Sequence, residues 1–404
     1  MPCDDNSHER TTRREYLTYS GVIATSGLFA GCAASQNAGV DDTPTTEAST
    51  PTNTVTGATT STAGDSYSVR MAPVGTVEFD SVPETAVLIS NNVADHLVAL
   101  GQQDRIITLG YPEEYYTGFY DELPGVEFET GDLTQLLGGS FSKELLYELD
   151  ADVHHIDPVF RTQTNSLSQA AIDEVERNVA PFFNNWYSRA HGYQGDQPYR
   201  YYSLWELLDK FAQVYQVRQR SQALTRVRNK MVAEIQAELP PQKDRPLVAL
   251  VTYSPTKDTF RRHKLNGPGW GKAHTRPLGA NGAFEDMELA DGSGSFSMEA
   301  MVETDPDVVI YNHEWVSPGG RSEKFLALSS HPIGKNITAA QNDRVYLGGT
   351  TTQGPIFNLF QIELTAKQIY PDIFGSPPEP GESVPESEQM FDRQHVADII
   401  NGDV

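Results

Sequence analysis

Two carboxylates in this chain stand in nearly the same setting. Phe141-Ser142-Lys143-Glu144 leads through Leu145 to Asp152-Val153, and Phe296-Ser297-Met298-Glu299 leads through Ala300 to Asp307-Val308. In both copies Asp-Val and an apolar run follow eight residues after the Glu, and the two Glu residues lie 155 positions apart. A single Glu just after a Ser at a helix start is explained by the helix dipole, which favours an acid in the first turn. The separation is about one domain length, whereas tandem arrays repeat at much shorter periods. The chain therefore reads as two similar lobes, and two lobes imply a cleft.

The residues able to line such a cleft lie at expected strand ends. Ligands of doubly wound sheets sit outside the carboxyl ends of the strands. Here those ends are Ser90-Asn91-Asn92, Gly110-Tyr111, Asp157-Pro158, Tyr253-Ser254 and Asn312-His313-Glu314-Trp315. The candidate ligand-binding residues are Asn92, Tyr111, Trp186, Tyr253, Arg261, Arg262, Trp270 and Trp315. Aromatic walls with Arg suit flat or bulky anions. The run Arg261-Arg262-His263-Lys264 stands out in an acidic chain; a solvated loop cluster accounts for it about as well as a cleft does, and each Trp has an equal claim to a core position. His154-His155 with Asp157 is not read as a metal site. The pair falls in a strand, where neighbouring side chains point to opposite faces.

The elements that must position these residues alternate between strand and helix. Strands are expected at residues 75–79, 86–89, 106–109 and 153–156, with helices at 94–100 and 145–149. Leu204, Leu207, Leu208, Phe211 and Val214 mark one face of a helix, and Leu224, Val227, Met231 and Ile235 mark a second over residues 218–238, stopped by Pro240-Pro241. At 1.5 Å per residue the second is a rod of about 30 Å, long enough to join two lobes. Beyond it come a β-branched strand at 246–252, a long Gly-rich segment at 253–294, a helix at 298–303, strands at 308–311 and 345–347, and a closing helix at 355–370. The pattern predicts an α/β chain of two doubly wound lobes with largely parallel sheets, a single long joining helix and a ligand cleft between the lobes. The expected organisation is a leader at 1–31, a tether at 32–66, an N-terminal lobe at 67–217, a linking helix at 218–239, a C-terminal lobe at 245–374 and an acidic Pro-rich tail at 375–404.

The N-terminus reads as a targeting segment. Thr12-Arg13-Arg14-Glu15-Tyr16-Leu17 is a twin-arginine signature, followed by an apolar run too short to span a bilayer. Phe29-Ala30-Gly31-Cys32 resembles a lipobox, which makes Cys32 the expected lipidation site. Cys3 and Cys32 are the only cysteines, so cleavage before Cys32 leaves no pair for a disulfide. Stable anchoring then needs more than one acyl chain. The Thr/Ser/Pro/Ala/Gly stretch that follows cannot bury a core and is expected to be a disordered tether.

The formal charge is −25, and −24 without the leader's three basic and four acidic residues. A phosphate backbone needs a basic face, so nucleic-acid binding is disfavoured. Lys is scarce, ten against twenty Arg. With the twin-arginine leader, this composition looks like that of a protein from a salt-loving archaeon, where salt screens the self-repulsion.

In order and spacing, these pieces resemble the substrate-binding proteins of ABC importers for ferric siderophores, cobalamin and haem. The resemblance rests on Val82-Pro83 before a strand, the helix ending Leu97-Val98-Ala99-Leu100-Gly101, and the strand entries Leu149-Asp150-Ala151-Asp152-Val153 and Thr304-Asp305-Pro306-Asp307-Val308. Asn342-Asp343-Arg344-Val345-Tyr346 and the helix ending Tyr370-Pro371-Asp372 match the closing segment. Ala151 departs from the usual Pro. The resemblance implies two α/β lobes joined by one helix, a ferric chelate as cargo with cobalamin or haem as alternatives, no catalytic residue or cofactor, a monomer, and docking of Glu144 and Glu299 on the two halves of an ABC permease dimer. The leader and the lipobox imply export by the twin-arginine route and a lipid anchor at the outer face of the cytoplasmic membrane. An exported enzyme and a structural surface lipoprotein are the readings of other classes; no Gly-x-Ser-x-Gly, His-Glu-x-x-His or phosphate-loop motif supports the former.

Overall fold

A computed structural model describes residues 66–139, 141–196, 199–254, 257–286, 295–312, 328, 330–379 and 382–404. The leader, the tether, Cys32 and Trp315 lie outside the described residues.

The first lobe opens with an antiparallel hairpin, β1 (Tyr67–Met71) and β2 (Gly75–Phe79). A parallel sheet follows. β3 (Ala86–Leu88) pairs in parallel with β6 (Val153–His155), and β4 (Thr108–Leu109) with β5 (Thr134–Gln135). A parallel bridge between Ala86 and Ile106 leads from β3 towards β4, and one between His154 and Phe182 extends the other side. Helices α1 (Asn91–Ala99), α2 (Lys143–Leu149), α3 (Pro158–Gln163) and α4 (Gln169–Asn178) supply the crossovers. Val87, Val153, Leu97 and Val98 are fully buried, because a sheet covered on both faces exposes no side chain to water.

Helix α5 (Leu204–Val214) begins at a capping box. The Ser203 hydroxyl accepts from Glu206 N, and the Glu206 carboxylate accepts from Ser203 N at 2.8 Å. Such a cap is worth about 1 kcal/mol. Helix α6 (Arg218–Glu238) has the bounds that the periodicity predicts, and it buries Leu224, Met231 and Ile235. It stands between the first lobe and the second.

The second lobe is a sheet in the order β10-β8-β7-β11-β12, with β9 also on β7. These are β7 (Leu247–Ser254), β8 (Thr259–His263), β9 (Asn281–Gly282), β10 (Ser295–Ser297), β11 (Val308–Tyr311) and β12 (Val345–Leu347). Its central strands β7, β11 and β12 run parallel, while β8 is antiparallel to both β7 and β10. Helix α7 (Met298–Thr304) precedes β11. The Gly-rich segment therefore holds a strand that the sequence reading passes over: the basic run Arg261-Arg262-His263 is part of β8. Its charges mask the alternating pattern that would mark it as strand.

Two later helices tie the lobes together. The helix Pro355–Ile369 is buried nearly all round and touches α1, α5 and α6. Its first turn meets the first lobe, where Phe357 N donates to the Asp95 carboxylate at 3.1 Å. The helix Arg393–Asn401 packs on α6 and buries Val396, Ile399 and Ile400. Arg393 pairs with the fully buried Glu363. The end of the acidic tail is thus part of the hydrophobic core, because its apolar side needs cover that α6 provides. No described helix is long and apolar enough to cross a membrane.

Candidate ligand cleft and paired surface carboxylates

The cleft begins with Asp157, the residue just beyond β6. Its buried carboxylate accepts from Val159 N and Phe160 N, and so caps α3. It also accepts from Trp186 N at 2.8 Å and from the Tyr199 hydroxyl at 2.8 Å. One side chain thereby sets the start of a helix, the position of Trp186 and the orientation of a Tyr. Burial pushes the Asp157 carboxyl above its ordinary range, and the four donors pull it back.

Around it lies a cavity of about 300 Å³ at the carboxyl ends of β3, β4 and β6. Ser90, Asn91, Gly110 and Tyr111 come from the first two strand ends, Phe160 and Arg161 from α3, and Thr352 from the second lobe. Trp186 packs edge-on against Trp270 of the second lobe at 6.0 Å. Arg161 is the cation of the cavity. Its guanidinium lies 5.2 Å from the Phe141 ring centre and 5.4 Å from that of Phe160, and its Nε has no hydrogen-bond partner among the described residues. Burial draws the proton affinity of Arg161 down and the Asp157 carboxylate works against it; an Arg stays charged regardless. The result is an aromatic-walled pocket with one desolvated, partly unsatisfied cation, which suits an anionic group on a bulky ligand. Two larger grooves, of about 510 and 660 Å³, run along α6. They lie away from the strand ends and hold no such constellation.

The expected site residues divide. Tyr111 and Trp186 line the cavity. Asn92 is buried in the first turn of α1, and its neighbour Asn91 takes the lining position. Tyr253 is buried in the core of the second lobe, where its hydroxyl donates to Asp258 at 2.8 Å. Trp270 is 1 % exposed and backs Trp186. Arg261 and Arg262 are residues of β8, with Arg262 over the Phe296 ring at 5.4 Å. Arg161 and Thr352 also line the cavity, beyond the residues that the sequence singles out. The signal for Arg161 was its place four residues after Asp157, on the helix that the strand end starts. Thr352 has no sequence signal.

His154 and His155 are held apart, as strand alternation requires. His154 Nδ1 faces the Ala180 carbonyl at 3.2 Å, whereas His155 reaches the Phe183 carbonyl at 3.0 Å and the Tyr215 hydroxyl at 2.8 Å. Burial brings both imidazoles down to about 4.

The paired Glu residues fall in matching places. Glu144 and Glu299 each sit in the first turn of a seven-residue helix, after the caps Ser142 and Ser297. Both are fully exposed, and both are held below the usual carboxylate range. For Glu144 the larger cause is its own backbone N–H and then Ser142; for Glu299 it is Ser297 and then its own N–H. Both helices end at an Asp in the left-handed region, Asp150 with φ 42° and Asp305 with φ 41°.

Two α/β lobes stand on either side of a long helix, with a cavity at the strand ends of the first lobe and Thr352 of the second beside it. Residues 163–351 match the family model of the periplasmic binding proteins. The family consists of solute-binding proteins of transporters rather than enzymes. No curated protein matches in sequence. Among solved structures, a periplasmic binding protein from Veillonella parvula is similar at 16% identity and TM-score 0.53, covering 78% of this chain and 95% of its own. The siderophore binding protein BauB, solved with two molecules of acinetobactin and ferric iron, is similar at 15% identity and TM-score 0.51, with 76% and 99% covered. Ceue of Helicobacter pylori, solved with Ni(II), is similar at 14% identity and TM-score 0.50, with 76% and 90% covered. These likenesses concern the fold.

Proposed function

We propose that the protein captures an anionic metal chelate of the ferric-siderophore type outside the cytoplasm and hands it to an ABC permease. The observation that carries this reading is the strand-end cavity, with Arg161 desolvated among Phe141, Phe160 and Trp186 and with Thr352 of the second lobe closing it. A ferric chelate offers carboxylate, catecholate or hydroxamate oxygens to the cation and bulk to the rings. Glu144 and Glu299 are the docking contacts, one on each lobe, where charge chiefly sets orientation and on-rate. Twin-arginine export and lipidation at Cys32 place the chain at the outer face of the membrane, and the protein acts as a monomer.

The test is quenching of Trp fluorescence by ferric hydroxamate, ferric catecholate, haem and cobalamin in turn. Saturable quenching by a ferric chelate, weakened at least tenfold by Arg161→Gln, is expected. Saturation by haem or cobalamin alone, or no effect of Arg161→Gln, would refute the ferric-chelate reading.

A further inference from the structure

Beside the cavity, at the junction of the lobes, lies a cationic cluster that ligand capture does not use. Gly269 makes it possible. Its backbone, at φ 86°, lies so close to the Arg189 carbonyl that a Cβ would stand 2.3 Å from that oxygen. The loop of the second lobe therefore presses directly on the first. Gly271 is likewise packed against Arg189. Next to it, Lys272 directs a buried Nζ that has no hydrogen-bond partner among the described residues, although part of its stem reaches solvent. Arg189 donates to Thr351 at 3.2 Å and lies 5.0 Å from the Trp186 ring centre, and its Nε has no hydrogen-bond partner among the described residues. Arg276 closes the loop with bonds to the Gly267 and Gly269 carbonyls.

Among the described residues, the charges that bear on this group have the same sign. Arg189 and Arg276 act on Lys272, Arg261 acts on Arg189, and Arg228 of α6 acts on Arg276. No carboxylate of the described residues acts on Lys272, Arg189 or Arg276, in a chain with 55 acidic residues. Burial and the two guanidiniums bring the Lys272 ammonium down to about 7. An unpaired buried cation is costly, and removing it or pairing it relieves the cost. None of the three cations lines the strand-end cavity.

We propose that Arg189, Lys272 and Arg276 form a binding site for a small oxyanion, separate from the cargo cavity, which bolts the two lobes together where Gly269 meets Arg189. The planar guanidiniums and the ammonium suit oxygens arranged as in phosphate or sulfate better than a halide. The anion supplies the negative charge that the surrounding chain withholds, and it lies beside Trp186, whose ring Arg189 covers.

The purified chain, free of cargo, is dialysed into sodium gluconate and titrated with inorganic phosphate at constant ionic strength. Thermal midpoint and Trp fluorescence are followed together. Saturable stabilisation by phosphate and none by chloride is expected. Lys272→Met should raise the midpoint in gluconate, because it removes an unpaired buried charge, and should weaken the phosphate response at least tenfold. Arg189→Gln should weaken that response without this gain. A response that is equal in the wild type and both variants, a saturable response to chloride alone, or a Lys272→Met variant less stable than the wild type in gluconate would each overturn the proposal. Cargo is absent throughout, so the outcome is independent of the ferric-chelate reading.

Discussion

The two lobes build the same unit from nearly the same residues, and they diverge where it ends. In the first, Ser142 caps a helix bearing Glu144, Asp150 turns the chain, and Asp152 holds the entry to β3 by accepting from Glu84 N, Thr85 N and the Thr85 hydroxyl. In the second, Ser297 caps the helix of Glu299, Asp305 turns the chain, and Asp307 accepts from Leu247 N at 2.8 Å. The following strands, β6 and β11, then pair in parallel with the first strand of their sheets. Past the strands the likeness stops. β6 runs into Asp157, which organises the cavity. The second lobe answers with Trp270 and Thr352, from segments unlike anything in the first. The repeated unit thus does the task that both lobes share, presenting a surface carboxylate, while the ligand side is built from what is not repeated.

The largest expected effect tests the shared task. Glu144→Ala and Glu299→Ala together should lower uptake at least tenfold and leave ligand affinity unchanged, with each single change giving a smaller and similar loss. Transport assays beside equilibrium binding decide this; a defect confined to one Glu would break the symmetry between the lobes.

Acid should attack the first lobe. Burial holds His96, His154 and His155 down to about 4 in the folded chain. Once unfolded, the same groups take up protons from about pH 6.5 downward. Their contribution is complete above pH 6.5 and is lost as pH falls towards 4. Asp95 works in the opposite sense, since burial raises it to about 7 and the folded chain keeps its proton over that window. Three protons against one leave a net loss of about 2 to 3 kcal/mol per pH unit. Denaturant unfolding at pH 6.5, 5.5 and 4.5 measures it, and a flat profile would contradict the burial of the three imidazoles.

The smallest effect separates the two anchors. Asp152→Ala removes an acceptor of three hydrogen bonds near the surface and should cost about 1 to 2 kcal/mol, while Asp307→Ala removes one and should cost about 1 kcal/mol. Equal losses, read from chemical denaturation, would show that the anchors contribute alike despite their different bonding.

Much of the framework is legible in the residues. The bounds of α6, β11 and β12 follow from runs whose periodicity is set by local geometry, and Ser142, Ser203 and Ser297 cap helix starts. β8 is hidden because its Arg-Arg-His run satisfies a loop pattern as readily as a strand, and only pairing with β7 and β10 selects the strand.

Half of the cleft is legible in the same way. A strand end is a local feature, so Ser90, Asn91, Gly110, Tyr111 and Asp157 could be listed from sequence. Which aromatic faces the cavity could not. Tyr253, Trp270 and Trp186 have the same chemical claim, yet one is core, one is backing and one is wall. Local sequence determined the elements, the repeated carboxylates and the strand ends, because each depends on neighbours within a few residues. Tertiary structure alone decided that Thr352 meets Arg161's cavity, that Gly269 lets Arg189, Lys272 and Arg276 converge, and that the acidic tail returns to cover α6. Those contacts join residues about 80 to 190 positions apart, and only the packing of one lobe against the other brings them together.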